Sequence, residues 1–325
     1  MTYIPKSIFS KFSLKRAIKW ESHLNTLTPW ENHNGIWFKV EQEFAPLGPG
    51  GPNGSKLRQL IHYVSRNRGG KTRIVTGASL QSPQLSMTSI VGAHFGLPVT
   101  CVVYSKPETI LGHLSPRIAA GFGATFVYAK GPYNPILQKG VADLAQDPQA
   151  LVVHYGISIP TDIGSASEIL KFHETGAHQV SNIPDQVKRL IIPAGSCNTL
   201  TSVLLGLIQD PHNVEEIYTI GIGPSKDRWL RERFEHMGIG LGDLPFKWRH
   251  FSLHDSGYSK YTDRFNGESW NGIPMHPVYE AKIARWLREN NPQTQDGSVG
   301  FWIVGGDTDP RVLEPFYTTP ERMRG

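Results

Sequence analysis

Short apolar runs alternate with longer helical patterns along most of this chain, and this alternation constrains the fold more than any other feature. The runs are rich in β-branched residues and are predicted as strands at residues 73–77, 98–104, 124–128, 151–154, 189–193, 216–222 and 300–304. Strands that alternate with helices pair in parallel, because each helix returns the chain to the same end of the sheet. The sequence therefore predicts an α/β fold.

The predicted strands form two series, which indicates two sheets. Predicted helices accompany the first series near residues 86–95, 116–121 and 135–144, and the second near residues 199–208, 226–237 and 278–289. We expect the chain to cross between the sheets at residues 181–185. The prediction is two open parallel-sheet α/β domains: a small domain at residues 73–184, inserted into a large domain made of residues 1–72 and 185–325.

Composition excludes several classes of protein. Hydrophobic residues make up 39% of the 325 residues, enough to bury a large core, which argues against disorder. Cys101 and Cys197 are the only cysteines, so neither a disulfide framework nor a cysteine zinc site is expected, and a reducing, cytoplasmic setting is favoured. No apolar run approaches the roughly 20 residues that span a bilayer, so no membrane association is expected.

The chain carries a small excess of positive charge. It has 33 Lys and Arg against 28 Asp and Glu, a formal net charge of +5, which suits anionic ligands and leaves nucleic acid among the partners to consider. Basic residues are frequent in the first twenty positions, which contain no acidic residue. We interpret this leader as a basic helix packed on the body of the protein; an organelle address and a polyanion contact are the alternatives.

A glycine-rich segment at residues 45–55 leads directly to Lys56, at the predicted start of a helix. At this position the helix dipole disfavours the ammonium form and favours a nucleophilic amine. A solvated surface lysine is the simpler interpretation of this segment when it is considered alone. The glycine-rich segment and the irregular loop at residues 254–277 are also candidates for the walls of a binding site.

A second segment follows the predicted strand at residues 189–193. Its small and hydroxylated residues precede a helix, and backbone N–H groups at such a turn converge on one point, as in a phosphate site. The residues are Gly195, Ser196, Cys197, Asn198 and Thr199. An ordinary strand-to-helix turn capped by Asn198 or Thr199 is the alternative. The segment lacks the Gly-Lys-Ser/Thr of a P-loop, which disfavours nucleotide hydrolysis.

Two further segments combine polar groups with a predicted helix start. The loop at residues 77–84 carries Ser79, Ser82 and Gln84, whose hydroxyl and amide groups are suited to a carboxylate, although helix capping would explain them equally well. Tyr279 and Glu280 lie in the first turn of a later helix, where an acidic residue also interacts favourably with the helix dipole.

Metal and nicotinamide sites are disfavoured on geometry. His173 and His178 are five residues apart, roughly 140° around a helix, so they do not share a face and no metal site is predicted. The segment at residues 221–226 follows a strand but lacks the third glycine of a dinucleotide fingerprint, and its Pro224 removes a backbone donor.

Taken in order, these four segments resemble the fold type II pyridoxal-phosphate enzymes, specifically the group of 1-aminocyclopropane-1-carboxylate deaminase and D-cysteine desulfhydrase. Gly-Ser-Lys-Leu-Arg at residues 54–58 is similar to the Schiff-base segment, and residues 77–84 to the Gly-x-x-Gln-Ser-Asn-Gln loop. Residues 195–199 resemble the Gly-Ser-Gly-Gly-Thr phosphate cup, and residues 277–282 the segment Pro-Val-Tyr-Glu-Gly-Lys. Order and spacing agree over roughly residues 22–306.

The resemblance implies pyridoxal 5'-phosphate in a cleft between the two domains. Lys56 would form the Schiff base and move the proton at the substrate α-carbon. The phosphate cup at residues 195–199 would bind the phosphate, and Glu280 would contact the pyridine nitrogen and keep it protonated. The resemblance also implies a homodimer.

The resemblance implies substrate contacts as well. Tyr279 and Tyr258 would flank the substrate as acid, base or nucleophile. Tyr258 lies in a Gly-Tyr pair that is similar to the family's Gly-Tyr-Gly. Ser82 would bind the substrate carboxylate, with Ser79 and Gln84 beside it.

Several positions depart from the family pattern. Pro83 replaces an Asn that hydrogen-bonds the cofactor ring oxygen, and Gln59 replaces the second Lys of the Schiff-base segment. Cys197 and Asn198 replace the two glycines of the phosphate cup. These departures bear on the substrate more than on the cofactor.

We expect an enzyme that acts at the α-carbon of a small amino acid by deaminase- or desulfhydrase-type lyase chemistry. Decarboxylation and racemisation use the same electron sink. The alternative is an enzyme of viral DNA hypermodification that decarboxylates, or eliminates from, an amino acid attached to a nucleobase. It is suggested by the charge excess, the basic leader and the aromatic and cationic residues of the loop at 254–270, a loop that is equally explained as a lid. A catalytically silent binding protein is disfavoured, because Lys56, Tyr279 and Glu280 occur together.

Overall fold

The computed structural model describes residues 2–3, 19–242, 244–290 and 297–313. The strands are β1 (Thr2–Tyr3), β2 (Trp30–His33), β3 (Ile36–Val40), β4 (Arg73–Gly77), β5 (Val99–Val103), β6 (Thr125–Tyr128), β7 (Ala150–Val153), β8 (Arg189–Ala194), β9 (Glu216–Gly221), β10 (Lys247–Ser252), β11 (Ser269–Trp270), β12 (Ile273–Pro274) and β13 (Val299–Ile303). The α-helices are α1 (Ser55–Asn67), α2 (Pro83–His94), α3 (Leu114–Gly121), α4 (Asn134–Leu144), α5 (Ala166–Ala177), α6 (Asn198–Gln209), α7 (Asp227–His236), α8 (Glu280–Asn290) and α9 (Pro310–Leu313). The basic leader at residues 4–18 lies outside the described residues.

The strands form two open sheets, as the sequence predicts. The small sheet has the order β1-β6-β5-β4-β7, and the large sheet the order β10-β9-β8-β13-β3-β2. Every predicted strand is confirmed, with its ends within one residue of the prediction. Strand pairing is parallel within both sheets except at one edge of each, where β1 pairs antiparallel with β6 and β2 with β3. The α/β fold with two parallel sheets is therefore confirmed.

Two hairpins escaped the sequence analysis. Asn34-Gly35 joins β2 to β3, and Asn271-Gly272 joins β11 to β12, with positive φ at all four residues. Two-residue hairpin loops of this kind favour Asn-Gly, because both central residues need the left-handed region. The signal was present in the sequence, but the flanking strands lack the clear alternation that marks a hairpin.

The central strands are buried on both faces. All five residues of β13 are buried between β8 and β3, and apolar residues of the helices cover the sheet on each side. Parallel strands covered in this way read as continuous apolar runs, which is why the sequence located them so closely. Among the described residues, no helix is long and apolar enough to cross a membrane.

Helix α1 lies between the two sheets. Its buried residues Leu57, Leu60, Ile61 and Val64 belong to the same apolar cluster as residues of the small sheet, and the helix packs against α2 and α5. The domain boundary predicted at residue 72 assigns α1 to the large domain. Lys56 lies in the first turn of this helix. Because α1 packs against elements of both domains, Lys56 lies between the two sheets.

Candidate active site

A cavity of about 390 Å³ opens at the carboxyl ends of both sheets. Loops after β4 and β5 line one side, and loops after β8 and β13 line the other, together with the first turn of α1 and the segment before α8. Ligands of open parallel sheets bind at this end of the strands. The cavity has the size and concave shape of a small-molecule site.

Lys56 lines the cavity from the first turn of α1. The preceding Gly54 has φ +87°, and a Cβ at this position would lie 2.4 Å from the carbonyl oxygen of Val304, so the close approach requires glycine. The Ser55 N–H donates to the same carbonyl at 2.9 Å. These contacts fix the start of α1 against the end of β13, and the Lys56 Nζ then lies 5.5 Å from the centroid of the Tyr279 ring.

The turn after β8 presents a helix start to the cavity. Residues 195–199 all line the cavity, and α6 begins at Asn198. The N–H groups of the first turn lack partners within the helix, and the helix dipole adds positive charge there. Cys197 adopts φ +64°, which turns the chain into the helix. Burial raises the pKa of its thiol to about 12, so Cys197 stays neutral and is unsuited as a nucleophile.

The Asn198 side chain ties this turn to the loop after β7. Its Nδ2 donates to the carbonyl oxygens of Gly156 at 2.6 Å and Ile157 at 2.9 Å. A Cβ on Gly156 would lie 2.7 Å from the Ser196 Cβ, so the two loops are in close contact. Asn198, in place of a family glycine, thus holds the turn against the loop after β7 by its side chain, and the residue also lines the cavity.

A buried polar network lies beneath the start of α6. The Arg233 guanidinium donates to His173 Nε2 at 3.0 Å and to the Ile159 carbonyl at 2.7 Å. Because a guanidinium only donates, His173 Nε2 accepts, and Nδ1 carries the proton toward Ser202 Oγ at 2.8 Å. Gln59 Nε2 donates to the same hydroxyl at 2.8 Å. Gln59, which replaces a family lysine, is therefore part of a network that supports the helix.

Arg233 is a buried cation that no carboxylate approaches within the described residues. It is 1% exposed, and no carboxylate in the described part of the chain pairs with it. Burial lowers its pKa to about 10, and the pKa of His173 is held well below its usual value by burial and by the Arg233 charge. The network thus places an uncompensated positive charge behind a helix start that already favours anions.

Glu280 is fully buried at the start of α8. Its Oε1 accepts a hydrogen bond from the Val304 N–H at 2.9 Å, while within the described residues its Oε2 has no hydrogen-bond partner. Burial raises the pKa of this carboxyl to about 7. Both Val304 and the neighbouring Tyr279 line the cavity. A buried carboxylate oxygen without a partner is costly, so this position calls for a donor or a cation.

Two tyrosine hydroxyls meet inside the cavity. Tyr261 Oη lies 3.3 Å from Tyr279 Oη, and both residues line the cavity. Burial raises the pKa of Tyr279 to about 12, and desolvation also raises that of Tyr261, which stays 36% exposed at the cavity mouth, so both hydroxyls stay protonated at neutral pH. The Tyr279 ring also packs on His276, whose Nε2 lies 3.0 Å from the Asp307 carboxylate.

The structure does not bring every predicted substrate residue to the cavity. The Tyr258 hydroxyl donates to Glu289 Oε2 at 2.8 Å, and Tyr261, three residues later, occupies the cavity wall. Ser82 caps α2 by accepting from the Gln84 N–H at 3.3 Å. Gln84 is buried and bonds Thr76 and the His154 carbonyl, while Ser79 is exposed outside the cavity.

Several residues that line the cavity were not predicted from the sequence. They are His113, Tyr261, Arg264, His276 and Asp307. Tyr261 and Arg264 lie in the loop that was predicted to form a wall, but no pattern indicated which of its side chains face inward. Within the described residues, no group of His, Cys, Asp or Glu side chains is positioned to hold a metal ion.

Comparison with known proteins connects this geometry to a family. No protein-family model matches the chain. A curated relative, the O-seryl-dTMP PLP-dependent decarboxylase of Salmonella phage ViI, is 33% identical, and the match covers 92% of this chain and 86% of the relative. The chain belongs to the fold type II pyridoxal-phosphate-dependent enzymes.

Solved structures with the same fold support this membership. An ACC deaminase homologue matches with a TM-score of 0.65 at 16% identity, over 88% of this chain and 93% of its own. Escherichia coli diaminopropionate ammonia lyase matches with a TM-score of 0.59 at 13% identity, over 97% and 95%. Serine racemase from Dictyostelium discoideum matches with a TM-score of 0.54 at 14% identity, over 91% and 98%. These likenesses establish the fold.

The cavity residues of this pyridoxal-phosphate-dependent enzyme fit its cofactor. The helix start at residues 195–199 offers N–H groups to a phosphate. Glu280 does not itself line the cavity, but its neighbours Tyr279 and Val304 do, and its Oε2, without a partner among the described residues, is the acceptor that a protonated ring nitrogen needs. Lys56 lies in the same cavity with its amine beside Tyr279.

Proposed function

We propose that this enzyme decarboxylates an amino acid attached to a nucleotide, as the name of its phage relative describes for that protein. In such a reaction the bond between the α-carbon and the carboxylate breaks, carbon dioxide leaves, and one proton adds to the α-carbon to give the corresponding amine. The identity of 33% over nearly the whole chain supports this substrate class.

The observation that carries the choice of reaction is the cavity wall that follows β4. In the resemblance to deaminases this loop would bind the substrate carboxylate, yet Ser82 caps α2 and does not line the cavity, and Pro83, which does, has no N–H to donate. Leu80, Met87 and Leu114 line this part of the cavity, together with Gln81, Ser86 and Ser115. A carboxylate placed against the apolar side chains is partly desolvated, and desolvation favours its loss as carbon dioxide.

The residues of the other wall supply the remaining requirements. Pyridoxal phosphate, when bound, supplies an electron sink for the charge that develops at the α-carbon. The N–H groups at residues 196–199 bind and orient the phosphate, and Glu280 Oε2 holds a proton on the ring nitrogen. Lys56 Nζ is the group placed to deliver a proton to the α-carbon, with the protonated hydroxyls of Tyr279 and Tyr261 beside it.

Deaminase- or desulfhydrase-type lyase chemistry is the second candidate. It is favoured by the hydroxyl pair of Tyr261 and Tyr279, 3.3 Å apart, since a tyrosine hydroxyl near the substrate suits the protonation of a leaving group. The ACC deaminase homologue shares the fold but only 16% of the sequence, so it does not decide the reaction.

A product assay separates the two candidates. The purified holoenzyme is incubated with O-seryl-dTMP and, separately, with D-cysteine and 1-aminocyclopropane-1-carboxylate, and both carbon dioxide and ammonia are measured. We expect carbon dioxide without ammonia from O-seryl-dTMP. Ammonia release from any of the three substrates, without carbon dioxide, would reject decarboxylation in favour of the lyase reaction.

We also propose that the enzyme is a homodimer and that it is located in the cytoplasm. The resemblance to the deaminase group supports a dimer, and two buried cysteines without a disulfide are compatible with a reducing compartment. Light scattering of the holoenzyme tests the first, and fractionation of expressing cells tests the second.

A further inference from the structure

Exposed apolar side chains are concentrated at one edge of the molecule. Among the described residues nine large apolar side chains are exposed, and six of these lie near the carboxyl edge of the small sheet or at the mouth of the cavity. They are Tyr104, Leu114, Tyr133, Ile136, Tyr155 and Tyr261. Single exposed apolar residues need no explanation, but a concentration of them marks a binding surface.

Three of these tyrosines follow successive strands of the small sheet. Tyr104 is the first residue after β5, Tyr133 directly precedes α4 after β6, and Tyr155 is the second residue after β7. The sheet order β6-β5-β4-β7 places these strand ends side by side, over about 14 Å at the usual strand spacing. The loop after β4, which lines the cavity, lies between them. The three tyrosines therefore flank the loop that lines the cavity, without lining the cavity themselves.

Lysines accompany the tyrosines. Lys106 lies two residues after Tyr104, and Lys130 lies three residues before Tyr133. Both lysines are exposed, and neither pairs with a carboxylate within the described part of the chain. Glu108 is the only acidic residue in segments 104–109 and 129–136. Rings that alternate with cations suit single-stranded nucleic acid, because bases stack on the rings and phosphates pair with the cations. Interfaces between protein subunits are depleted in lysine, which disfavours a second copy of this chain as the occupant.

We propose that Tyr104, Tyr133 and Tyr155, with Lys106 and Lys130, form a tyrosine row that binds single-stranded DNA flanking the substrate nucleotide. The nucleotide that carries the amino acid enters the cavity, while its neighbours along the strand stack on the row. The identity of the polymer rests on the proposed function. The chemistry of the surface, rings and cations beside the mouth of the cavity, is independent of it.

Fluorescence anisotropy of the holoenzyme with a labelled twelve-nucleotide single strand tests the proposal. Tyr104→Ala and Tyr133→Ala should each raise the dissociation constant about fivefold or more, the scale of one lost stacking contact. Tyr104→Leu should bind as weakly as Tyr104→Ala, because it keeps apolar area but loses the ring. The double variant Lys106→Ala/Lys130→Ala should lower the slope of log affinity against log salt by about 0.7 for each lost phosphate contact.

Matched controls lie elsewhere on the surface. Lys247→Ala removes an exposed lysine at the amino end of β10, which is an edge strand of the large sheet. Leu170→Ala removes an exposed apolar side chain of α5. Both controls should bind the strand as the wild type does. All variants should retain the wild-type melting temperature and decarboxylate the mononucleotide O-seryl-dTMP at the wild-type rate.

Several outcomes would overturn the tyrosine row. These are no binding by the wild-type enzyme, equal binding by wild type and tyrosine variants, or a dimer that dissociates in the tyrosine variants with unchanged DNA affinity. Equal affinity for the corresponding duplex would also contradict it, because paired bases cannot stack on the rings. Decarboxylation of the mononucleotide without any oligonucleotide binding would reject the row and leave the proposed function intact. Oligonucleotide binding without decarboxylation would reject the proposed function and leave the tyrosine row intact.

Discussion

The two walls of the active-site cavity differ in how closely they follow the family pattern. The wall formed by α1, the turn after β8 and the segment before α8 keeps Lys56 and a helix start suited to a phosphate, with Glu280 buried next to its Tyr279. The wall formed by the loops after β4 and β5 departs from the pattern, because Ser82 caps α2 and a proline occupies position 83. The cofactor imposes the same requirements on every member of the family, whereas the substrate does not. The residues of the first wall therefore indicate which cofactor is bound, and the residues of the second wall indicate which reaction is catalysed.

The largest expected effect in the cofactor wall is at Lys56. Lys56→Ala should lower turnover of O-seryl-dTMP by about 10³-fold or more, because the variant loses both the covalent attachment and the proton donor. Borohydride reduction followed by peptide mapping should label the peptide that contains Lys56 in the wild type and no lysine in the variant. Lys188→Ala, at an exposed lysine near the amino end of β8, is the control and should behave as wild type.

Glu280 should make the cofactor-free protein sensitive to pH. Its folded pKa of about 7 lies above the ordinary value of 4.5, so the folded state binds the proton more tightly than the unfolded state. The stability that Glu280 contributes is therefore present below pH 4.5 and is lost as pH rises through 7, by about 3 kcal/mol at most. Urea unfolding of the wild type and Glu280→Gln at pH 5 and pH 8 measures this difference. A pH dependence that is identical in the two proteins would contradict the assignment.

Catalysis should also depend on the Glu280 charge. Glu280→Gln keeps the hydrogen bond from Val304 but lacks the charge that holds a proton on the cofactor ring, so turnover should fall about 10²-fold. Cofactor content, read from absorbance, should be retained because Lys56 and the phosphate-binding turn remain. If turnover is unchanged, Glu280 acts only on the helix dipole of α8.

A pair of tyrosine variants distinguishes the predicted substrate contact from the observed one. Tyr261→Phe should lower turnover about tenfold, because its hydroxyl lies 3.3 Å from that of Tyr279 in the cavity. Tyr258→Phe should change turnover less than about twofold, because its hydroxyl bonds the exposed Glu289 outside the cavity. The opposite ranking would restore Tyr258 as the residue that contacts the substrate.

The sequence predicted the framework of the fold, and it located Lys56 and residues 195–199 of the cavity, because both depend on local patterns. Buried parallel strands are continuous apolar runs, and the segments around Lys56, Gly195 and Glu280 each occupy one strand-to-helix or loop-to-helix junction. Helix α2 begins at Pro83 and not at the predicted residue 86, although proline is favoured in the first turn. Because the helix begins at Pro83, Ser82 occupies its N-cap position.

The remainder of the site depends on contacts between distant segments. Gln59, His173, Ser202 and Arg233 come from four different helices, so no spacing rule relates them. Tyr258 and Tyr261 lie in one irregular loop, where no periodicity determines which side chain faces inward. The choice between them follows from Glu289 on α8, which binds the Tyr258 hydroxyl and leaves Tyr261 to line the cavity.

The measurement that tests the account most directly is the product of the wild-type holoenzyme with O-seryl-dTMP in deuterium oxide, analysed by mass spectrometry. Decarboxylation predicts an aminoethyl nucleotide that has lost carbon dioxide and gained one non-exchangeable deuteron at the former α-carbon. A product that retains the carboxylate, whether deuterated substrate or a keto acid formed with ammonia, would show that the wall after β4 still binds the carboxylate. That result would contradict the proposed reaction.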